Sequence, residues 1–278
     1  MSRRIARTTA RKEHADAGSK NELRLSETET LALFVPWITP DTEAVVQQVK
    51  GDLFNRNYME AFSTEDKRQA YAARWSSSRT GAELVALGSV FGRLLETLPI
   101  SSTARSWHVT AVDISDWSSV VRKIAAYVTD QWVRPRLVSA QHSLALEFVL
   151  EDVLQLPANV THRLHAADLI TCCFTTNELF AENKTQAIAL LNRLSECRAG
   201  TLFLVLESAG SYSHITVGSK RFPVYFLVDT VLCGPPGRAR DWELVSSSDS
   251  EWYRVPGGVE YPLKLENMRF FYRLYRRR

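Results

Sequence analysis

Long apolar runs are scarce in this sequence of 278 residues, and this scarcity excludes a membrane-spanning helix, which needs ~20 apolar residues. The longest run, residues 222–233, predicts a buried strand instead. The first residues also lack the apolar core of a secretory signal. We therefore expect an intracellular protein whose apolar residues, 45% of the chain, form an ordinary globular core.

Cysteine is also scarce, and its spacing excludes a disulfide framework. The four cysteines are Cys172, Cys173, Cys197 and Cys233. None shows the paired spacing of metal ligands, and the adjacent Cys172 and Cys173 are poorly placed for a network of disulfides. We expect all four to be reduced core residues, and we expect no metal ion.

Histidine gives one weak hint of a metal site. His162 and His165 are three residues apart, and Asp168 follows three residues later. That spacing brings side chains to one face only in a helix, whereas Asp168 begins an apparent strand. The rest of a ligand set is absent, so we predict a surface turn here.

A strong excess of positive charge is missing, because the formal net charge is only +3. The arginines and lysines nevertheless crowd both ends of the chain: Arg3, Arg4, Arg7, Arg11 and Lys12 near the start, and Arg269, Arg273, Arg276, Arg277 and Arg278 near the finish. Basic ends favour phosphate contact or nuclear import, although solvated tails without function are an equal alternative. Residues 1–27 are polar and lack apolar periodicity, which predicts a disordered tail.

Residues 28–79 are helical in character and predict a helical N-terminal extension. Asp41 or Thr42 can cap a helix that carries valines at helical spacing. A second helix is predicted to start at Thr64 and to run to Trp75, where three serines, residues 76–78, interrupt the pattern.

Residues 80–278 predict an α/β domain with a mainly parallel sheet, because helical and strand patterns alternate along them. An amphipathic helix over residues 82–98 is followed by predicted strands at 107–114, 144–150, 168–174 and 201–206, with helices between them. Residues 222–233 and 268–275 are predicted to form an antiparallel closing pair of strands.

Polar side chains follow three of the predicted strands, at the points where open parallel sheets bind ligands. Asp113 lies at the end of the strand predicted at 107–114, and Asp152 closely follows the strand at 144–150. Asn177 and Glu178 follow the strand at 168–174. A carboxylate accepts two hydrogen bonds and suits the paired hydroxyls of a ribose, and the second acid suits an adenine amine. The order and spacing favour a nucleoside site over ordinary turn residues.

Residues 81–83, Gly81, Ala82 and Glu83, begin the predicted helix at 82–98 and complete this nucleoside site. Glycine permits a ligand to approach the backbone closely, and the N-terminus of a helix can face that ligand.

Several stretches of the sequence resemble motifs of one family. They are residues 74–79 (RWSSSR), 81–87 (GAELVAL), 174–180 (FTTNELF), 208–213 (SAGSYS) and 261–273 (YPLKLENMRFFYR). These stretches resemble the fungal large-subunit (25S) rRNA uridine-N(3)-methyltransferases, and the likeness runs from about Leu31 to the end. The one visible difference within the motifs is Ala209, where proline is expected.

The resemblance implies a Rossmann-like class I methyltransferase sheet, S-adenosylmethionine as cofactor, rRNA as substrate, and work in the nucleus or nucleolus, with the cytoplasm as the alternative. It implies catalytic roles for Asn177, Glu178, Glu266 and Asn267, and cofactor contacts for Gly81, Ala82, Glu83, Asp113, Asp152 and Phe174.

Five further residues are candidates for RNA contact: Trp75, Tyr212, Lys264, Arg269 and Arg273. Trp75 and Tyr212 lie in predicted polar loops and can stack on a base. Arg269 and Arg273 lie two residues on either side of Phe271 on one strand face, a pattern suited to holding a phosphate beside a stacked base. The alternative is an antiparallel strand whose arginines extend to water.

One part of the family pattern is missing, namely the first strand and its glycine-rich turn. The family places this strand before the Gly-Ala-Glu-Leu motif and in the middle of the sheet, between the strands ending at Asp113 and Phe174. Here only Thr80 separates Arg79 from Gly81, and no apolar strand precedes them.

We therefore expect a truncated sheet with two unpaired edges. A skipped exon, a faulty gene model or a variant that fills the gap differently explains the omission. The same gap supports an alternative function, a catalytically impaired RNA-binding or ribosome-assembly protein on a methyltransferase scaffold.

Overall fold

The computed structural model describes residues 26–80, 83, 106–133, 143–210, 214–217, 219–235 and 240–278. Its helices are α1 (Glu27–Ala32), α2 (Thr42–Phe54), α3 (Tyr58–Ala61), α4 (Glu65–Tyr71), α5 (Ser118–Tyr127), α6 (Ala158–Ala166), α7 (Thr176–Glu182), α8 (Lys184–Arg193) and α9 (Val224–Cys233). Its strands are β1 (Ser106–Asp113), β2 (Ser143–Leu150), β3 (Leu169–Cys173), β4 (Leu202–Ser208), β5 (His214–Val217), β6 (Lys220–Pro223), β7 (Trp242–Tyr253) and β8 (Met268–Arg277). Residues 1–25 of the predicted tail, and the predicted helix over 82–98 apart from Glu83, lie outside these ranges.

The N-terminal segment is helical as predicted and packs onto the α/β part of the chain. Helix α1 begins at Glu27 because Ser26 and Glu29 form a reciprocal capping box, and α4 begins after Thr64, whose side chain accepts from the backbone of Lys67. Leu33, Phe34, Trp37 and Ala72 of this segment share a buried cluster with Val120 of α5. The segment is therefore held against the face of α5 by apolar burial.

The helix that starts at α4 does not stop at the three serines, contrary to the sequence prediction. It continues through the π-helical turn Ala72–Ser76 and then as α-helix through residue 80. The Ser77 hydroxyl donates to the Ala73 carbonyl oxygen at 3.1 Å, and a serine that bonds back to its own helix in this way is tolerated there. Trp75 consequently lies in a helix rather than in a polar loop.

Parallel strands β1 and β2 form one two-stranded sheet, and a second sheet has the order β3-β4-β8-β7. In that second sheet β3 is parallel to β4, while β8 is antiparallel to both β4 and β7. This mixture of a parallel centre and an antiparallel edge, with helices between the strands, is a Rossmann-like α/β arrangement.

The sheet is divided at the place where the sequence predicted a missing strand. Among the described residues, β1 pairs only with β2, and β3 pairs only with β4. The edge of β1 that faces away from β2, and the edge of β3 that faces away from β4, therefore have no strand partner in the described parts of the chain. The family pattern places its first strand between the strands that correspond to β1 and β3, each of which has such an edge.

The prediction of a buried strand over residues 222–233 is wrong. Strand β6 ends at Pro223, helix α9 occupies Val224–Cys233, and Gly234, with φ of 84°, ends the helix. Val224, Val228 and Leu232 are the buried residues of α9, a helical spacing that the run obscured because nearly all of its residues are apolar. Strand β8 lies between β4 and β7 instead, and the serine-rich sequence of β7 gave no strand signal.

Helices α8 and α9 cover one face of the second sheet. Phe203 and Val205 of β4 and Tyr275 of β8 lie in the same buried cluster as residues of these helices. Residues 162–165 are also helical, within α6, and not in the predicted surface turn; Asp168 lies beyond the end of this helix, so the three side chains do not share one helix face. No group of three or more His, Cys, Asp or Glu side chains in the described ranges is arranged to hold a metal ion.

Candidate cofactor and substrate site

Glu178 and Glu207 lie near the carboxyl ends of the neighbouring strands β3 and β4. Glu207, near the end of β4, is 3% exposed and accepts hydrogen bonds from the backbone N–H groups of Asn177 at 3.2 Å and Ser208 at 2.8 Å. Burial raises the pKa of its carboxyl, and these hydrogen bonds oppose the rise. Glu207 thus holds the first turn of α7, which carries Asn177 and Glu178, in a fixed position.

The carboxyl of Glu178 has a pKa close to neutrality. Burial raises its pKa from 4.5 to about 7, with further contributions from Glu207 and Asp113, while Arg79 opposes the rise. A carboxylate with a pKa near neutrality is suited to accept and release a proton at physiological pH. Glu178 follows Asn177 in the first turn of α7, and both residues were predicted from the 174–180 motif.

Arg79 is a member of this site that the sequence did not single out. Its guanidinium lies 4.8 Å from the ring centroid of Phe174, donates to the Tyr71 hydroxyl, and lies in the field of Glu178 and Glu207. Burial lowers the pKa of the guanidinium, and the surrounding acids oppose that change. The position of Arg79 at the end of the 74–79 motif was the available signal, but only the fold brings it to β3.

Phe174 occupies the turn between β3 and α7. Its φ is 58°, in the left-handed region that non-glycine residues seldom adopt, and its backbone N–H donates to the Leu206 carbonyl at 2.7 Å. This hydrogen bond holds the turn against β4, and the ring is 5% exposed. The strained turn directs the chain from the end of β3 into the helix that carries Asn177.

Asp113 lies at the end of β1, as predicted, beside an apolar cavity. Its carboxylate accepts from the Ser115 backbone N–H at 2.7 Å, and burial raises its pKa while this bond lowers it. The adjoining cavity of about 430 Å³ is lined by residues of β1, β2 and α5 and by the N-terminal segment, including Ala111, Val112, Asp113, Trp117, Phe148, Leu33 and Phe34. A pocket of this size with one acid at its margin is suited to a flat, mostly apolar group.

Asp152 follows β2 as predicted, and its recorded contacts are those of a turn. Its carboxylate accepts from the Leu154 backbone at 2.9 Å and from the Gln155 side chain at 3.1 Å. These bonds cap the short 3-10 turn at Val153–Gln155. Asp152 thus acts as a turn cap in this structure, and its contact with an adenine stays a prediction.

The 261–273 motif docks on the helix that contains the 74–79 motif. The Glu266 carboxylate forms an ion pair with Arg74 at 2.8 Å, and the Tyr261 hydroxyl donates to the Ala73 carbonyl at 2.6 Å. Asn267 accepts from the Val255 backbone N–H at 2.9 Å. Glu266 and Asn267 are thus positioned on an exposed loop between the extension and β8.

The candidates for RNA contact divide by exposure. Lys264 and Arg269 are exposed, and Arg269 donates from Nε to the Ser250 hydroxyl at 2.8 Å. Trp75 is half-buried, with its ring centroid 5.3 Å from that of Tyr71. Tyr212 lies outside the described residues, as do Gly81 and Ala82; Glu83 is described and half-buried, and burial raises the pKa of its carboxyl.

Arg273 is buried, contrary to the prediction that it faces RNA. Its side chain is 5% exposed, its Nε lies 3.4 Å from Asp229, and Nη2 donates to Asp249. The guanidinium carbon is 4.0 Å from the Tyr225 ring centroid. Two acids and an aromatic face compensate this buried charge, so Arg273 holds α9 to β7 and β8 and is not available to a phosphate.

The chemistry of these side chains fits a nucleoside cofactor. The Asp113 carboxylate is an acceptor of the kind that suits a ribose, and Glu178, Glu207 and Glu83 all interact with the Arg79 guanidinium. Burial raises the pKa of these three carboxyls, so they bind a proton more readily and can donate as well as accept hydrogen bonds towards a ligand. The glycine turn expected to contact the methionine part falls on Gly81 and Ala82, outside the described residues.

No described helix is long and apolar enough to cross a membrane.

Comparison with solved structures finds two chains of low similarity. An S-adenosylmethionine-dependent methyltransferase from Clostridium acetobutylicum is 11% identical, with 67% of this chain and 88% of that chain covered and a TM-score of 0.37. A structure from a study of the conversion of a disulfide bond into a thioacetal group during echinomycin biosynthesis is 14% identical, with coverage of 61% and 66% and a TM-score of 0.36. Both scores are below 0.5, so the fold assignment rests on strand order and on the family.

The chain is also similar to a curated protein of Saccharomyces cerevisiae, the 25S rRNA (uridine(2843)-N(3))-methyltransferase. The two are 39% identical over 288 aligned positions, which cover 85% of this chain and 78% of the relative. Because 85% of 278 residues is about 236, about fifty aligned positions have no residue in this chain. The aligned part of the relative is thus longer than the matching part of this chain.

A family profile described as "Putative SAM-dependent methyltransferase" matches this chain in two pieces, residues 34–81 and residues 80–276. The two pieces meet at Thr80 and Gly81, where the sequence predicted the loss of the first strand. Together they span most of the chain, and the strand order and acidic strand ends agree with them. The chain therefore belongs to this family of S-adenosylmethionine-dependent methyltransferases.

Proposed function

We propose that this protein transfers a methyl group from S-adenosylmethionine to N3 of a uridine in large-subunit rRNA. The observation that supports this proposal most directly is the 39% identity to the Saccharomyces cerevisiae protein named for that reaction on 25S rRNA. The Asn177–Glu178 pair at the end of β3 supplies the chemistry that this reaction needs. Action on rRNA favours the nucleus or nucleolus as the site of work, with the cytoplasm as the alternative.

The reaction needs a base because N3 of uracil carries a proton. When bound, S-adenosylmethionine supplies an electrophilic methyl group on a sulfonium. Glu178, with a pKa of about 7, would accept the N3 proton, and its loss would leave N3 ready to take up the methyl group that the cofactor supplies. Matching the pKa of the base to the working pH favours this transfer.

Asn177 is placed to hold the uracil. Its side-chain amide has both donors and an acceptor, which can pair with the O2 or O4 carbonyl and with N3. Its backbone N–H is fixed to Glu207, so the amide is held in the first turn of α7 and loses little freedom on binding. The target base must leave its stack to enter such a site.

The division of the sheet supports a second candidate function, RNA binding or ribosome assembly without catalysis. The family profile matches in two pieces that meet where the glycine turn is expected, and the backbone of such a turn approaches the bound cofactor. Calorimetry with S-adenosylmethionine on the chain as it stands separates the two candidates. Micromolar binding contradicts the second candidate, and the absence of measurable binding contradicts catalysis by this chain.

A chain with the relative's segment inserted between Thr80 and Gly81 tests the catalytic role of Asn177. We expect Asn177→Ala to abolish methyl transfer to rRNA and to leave cofactor binding within about twofold, because the lost amide contacts the base. Asn192→Ala, at an exposed position of α8, is the matched control and should retain full activity. Unchanged methylation by the Asn177→Ala variant would refute the proposed role.

A further inference from the structure

Two tryptophans at opposite ends of β7 have opposite environments. Trp242 is 1% exposed and packs with α9, Phe271 and Tyr275 in one core cluster, whereas Trp252 is 49% exposed. An indole ring of this size is a large apolar surface to leave in water. Helix α9 packs at the Trp242 end of the strand, whereas the indole of Trp252 at the other end is half exposed.

Two arginines accompany the open indole. The guanidinium carbon of Arg254 is 5.0 Å from the centroid of the Trp252 ring, within the range of a cation–π interaction. Arg269 is directly opposite Trp252 in the β7–β8 register, so the two side chains leave the sheet on the same face. Both arginines are exposed, and the hydrogen bond from Arg269 Nε to Ser250 restrains Arg269.

This group lies at the end of the sheet that carries the proposed active site. Strand β8 is antiparallel to β4, with Phe270 opposite Ser208, so the start of β8 and the end of β7 meet the carboxyl end of β4. The Ala209 backbone N–H donates to the Arg269 carbonyl at 3.0 Å. Arg269 is therefore tied to the chain only two residues beyond Glu207.

The nearest acid in sequence is on the other face of the strand. Glu251 is opposite Phe270 in the register, and successive residues of a strand point to opposite faces. The face with Trp252 and Arg269 thus combines an aromatic surface with the positive charges of Arg254 and Arg269, while Asp249, which contacts this same face, is paired with the buried Arg273. A polyanion with flat apolar groups complements such a face, whereas an apolar protein partner does not need both cations.

We infer that Trp252, Arg254 and Arg269 form a binding platform for single-stranded RNA, an inference that rests on the proposed function for the identity of its ligand. A base stacks on the exposed indole, and the two guanidiniums contact the flanking phosphates. The platform holds the strand next to the site, so that a neighbouring unstacked base can reach Glu178.

The test is the affinity of the full chain for a fluorescein-labelled, uridine-rich single-stranded RNA, measured by fluorescence anisotropy at two salt concentrations. We expect Trp252→Ala to weaken binding about 10-fold or more, in line with the loss of one base stack, and Trp252→Phe to retain most of the affinity. Arg254→Gln and Arg269→Gln should each weaken binding and reduce the slope against salt by about one phosphate contact.

Matched controls are available at other surfaces. Arg276→Gln changes an exposed arginine near the other end of β8, the strand that carries Arg269; Arg276 pairs with Glu243. Phe54→Ala removes an aromatic residue of α2 that is 84% exposed. Both should bind RNA like the unmodified chain. Circular dichroism confirms that every variant is folded.

The platform is refuted if the unmodified chain does not bind the RNA, if Trp252→Ala binds normally, or if Arg276→Gln weakens binding as much as Arg269→Gln. The assay needs neither cofactor nor methyl transfer. Failure of the platform therefore leaves the proposed reaction untouched, and failure of methylation leaves a positive binding result intact.

Discussion

At the scale of single residues, the buried carboxyl of Glu178 makes stability depend on pH. Its folded-state pKa is raised from 4.5 to about 7, so the unfolded chain releases this proton first as the pH rises. The free energy of unfolding therefore falls between about pH 4.5 and pH 7, and the full penalty is present above pH 7. The penalty is at most about 3.5 kcal/mol for a shift of this size, since each pKa unit corresponds to about 1.4 kcal/mol.

Replacing the carboxyl by an amide removes this penalty. We expect Glu178→Gln to raise the thermal midpoint at pH 8 and to change it little at pH 5, measured by thermal unfolding at both pH values. Glu182→Gln, at an exposed position of the same helix, is the control and should show no such difference. An equal stabilisation by Glu178→Gln at both pH values would contradict a buried, titrating carboxyl.

Individual site residues were predictable where a local pattern placed them. Asp113 and the Asn177–Glu178 pair were identified because polar residues after apolar strands mark the binding edge of a parallel sheet. Arg79 was not, because its contact with Phe174 joins two distant segments. Arg273 was assigned to the surface wrongly, since its partners Asp229 and Asp249 lie 44 and 24 residues away in sequence.

At the scale of elements, the ion pair between Arg74 and Glu266 joins the extension to the C-terminal motif across 192 residues of sequence. The Arg74 side chain is 13% exposed and that of Glu266 is 55% exposed, so the pair is partly screened by water. We expect a coupling of about 0.5–1 kcal/mol between the two side chains. Thermal unfolding of Arg74→Ala, Glu266→Ala and the double variant measures it.

The pair Lys123–Glu65, in which both side chains are 47% exposed, is a matched control that should show weaker coupling.

In the chain with the inserted segment, we also expect Glu266→Ala and Asn267→Ala to impair methyl transfer without unfolding the protein. Additive stability changes at Arg74 and Glu266 would contradict the coupling, and collapse of the folded state in either loop variant would make the loop purely structural.

Element type was predictable where the apolar period was clear and failed where it was not. Strands β1, β2, β3 and β4 and the first residues of β8 were predicted, because each combines an apolar run with turn residues. Helix α9 was taken for a strand because apolar residues on almost every position hide the period of 3.6. Strand β7 was missed because only Trp242, Ser246 and Tyr253 along it are buried.

At the scale of the whole molecule, three observations coincide at Thr80 and Gly81. The two matched pieces of the family profile meet there, no apolar strand precedes Gly81 in the sequence, and the described strands form two sheets in which β1 and β3 each pair on one side only. The sequence predicted this gap from the absence of an apolar strand before Gly81. The sequence could not predict which contacts close around Arg79, because these depend on the packing of the remaining elements.

The division of the sheet has a consequence for how the molecule opens in solution. A two-stranded sheet is marginal on its own, and the β1–β2 pair has support from α5 and the extension but no third strand among the described residues. Strand β4, by contrast, is paired on both sides, and Leu204 at its centre is completely buried.

Amide hydrogens in β1 and β2 should therefore exchange with deuterium through a local opening, while those of β4 wait for global unfolding. Exchange followed by mass spectrometry should show β1 and β2 losing protection first, and insertion of the relative's segment should slow their exchange towards that of β4. Uniform protection across both sheets would show that the two halves open as one cooperative unit.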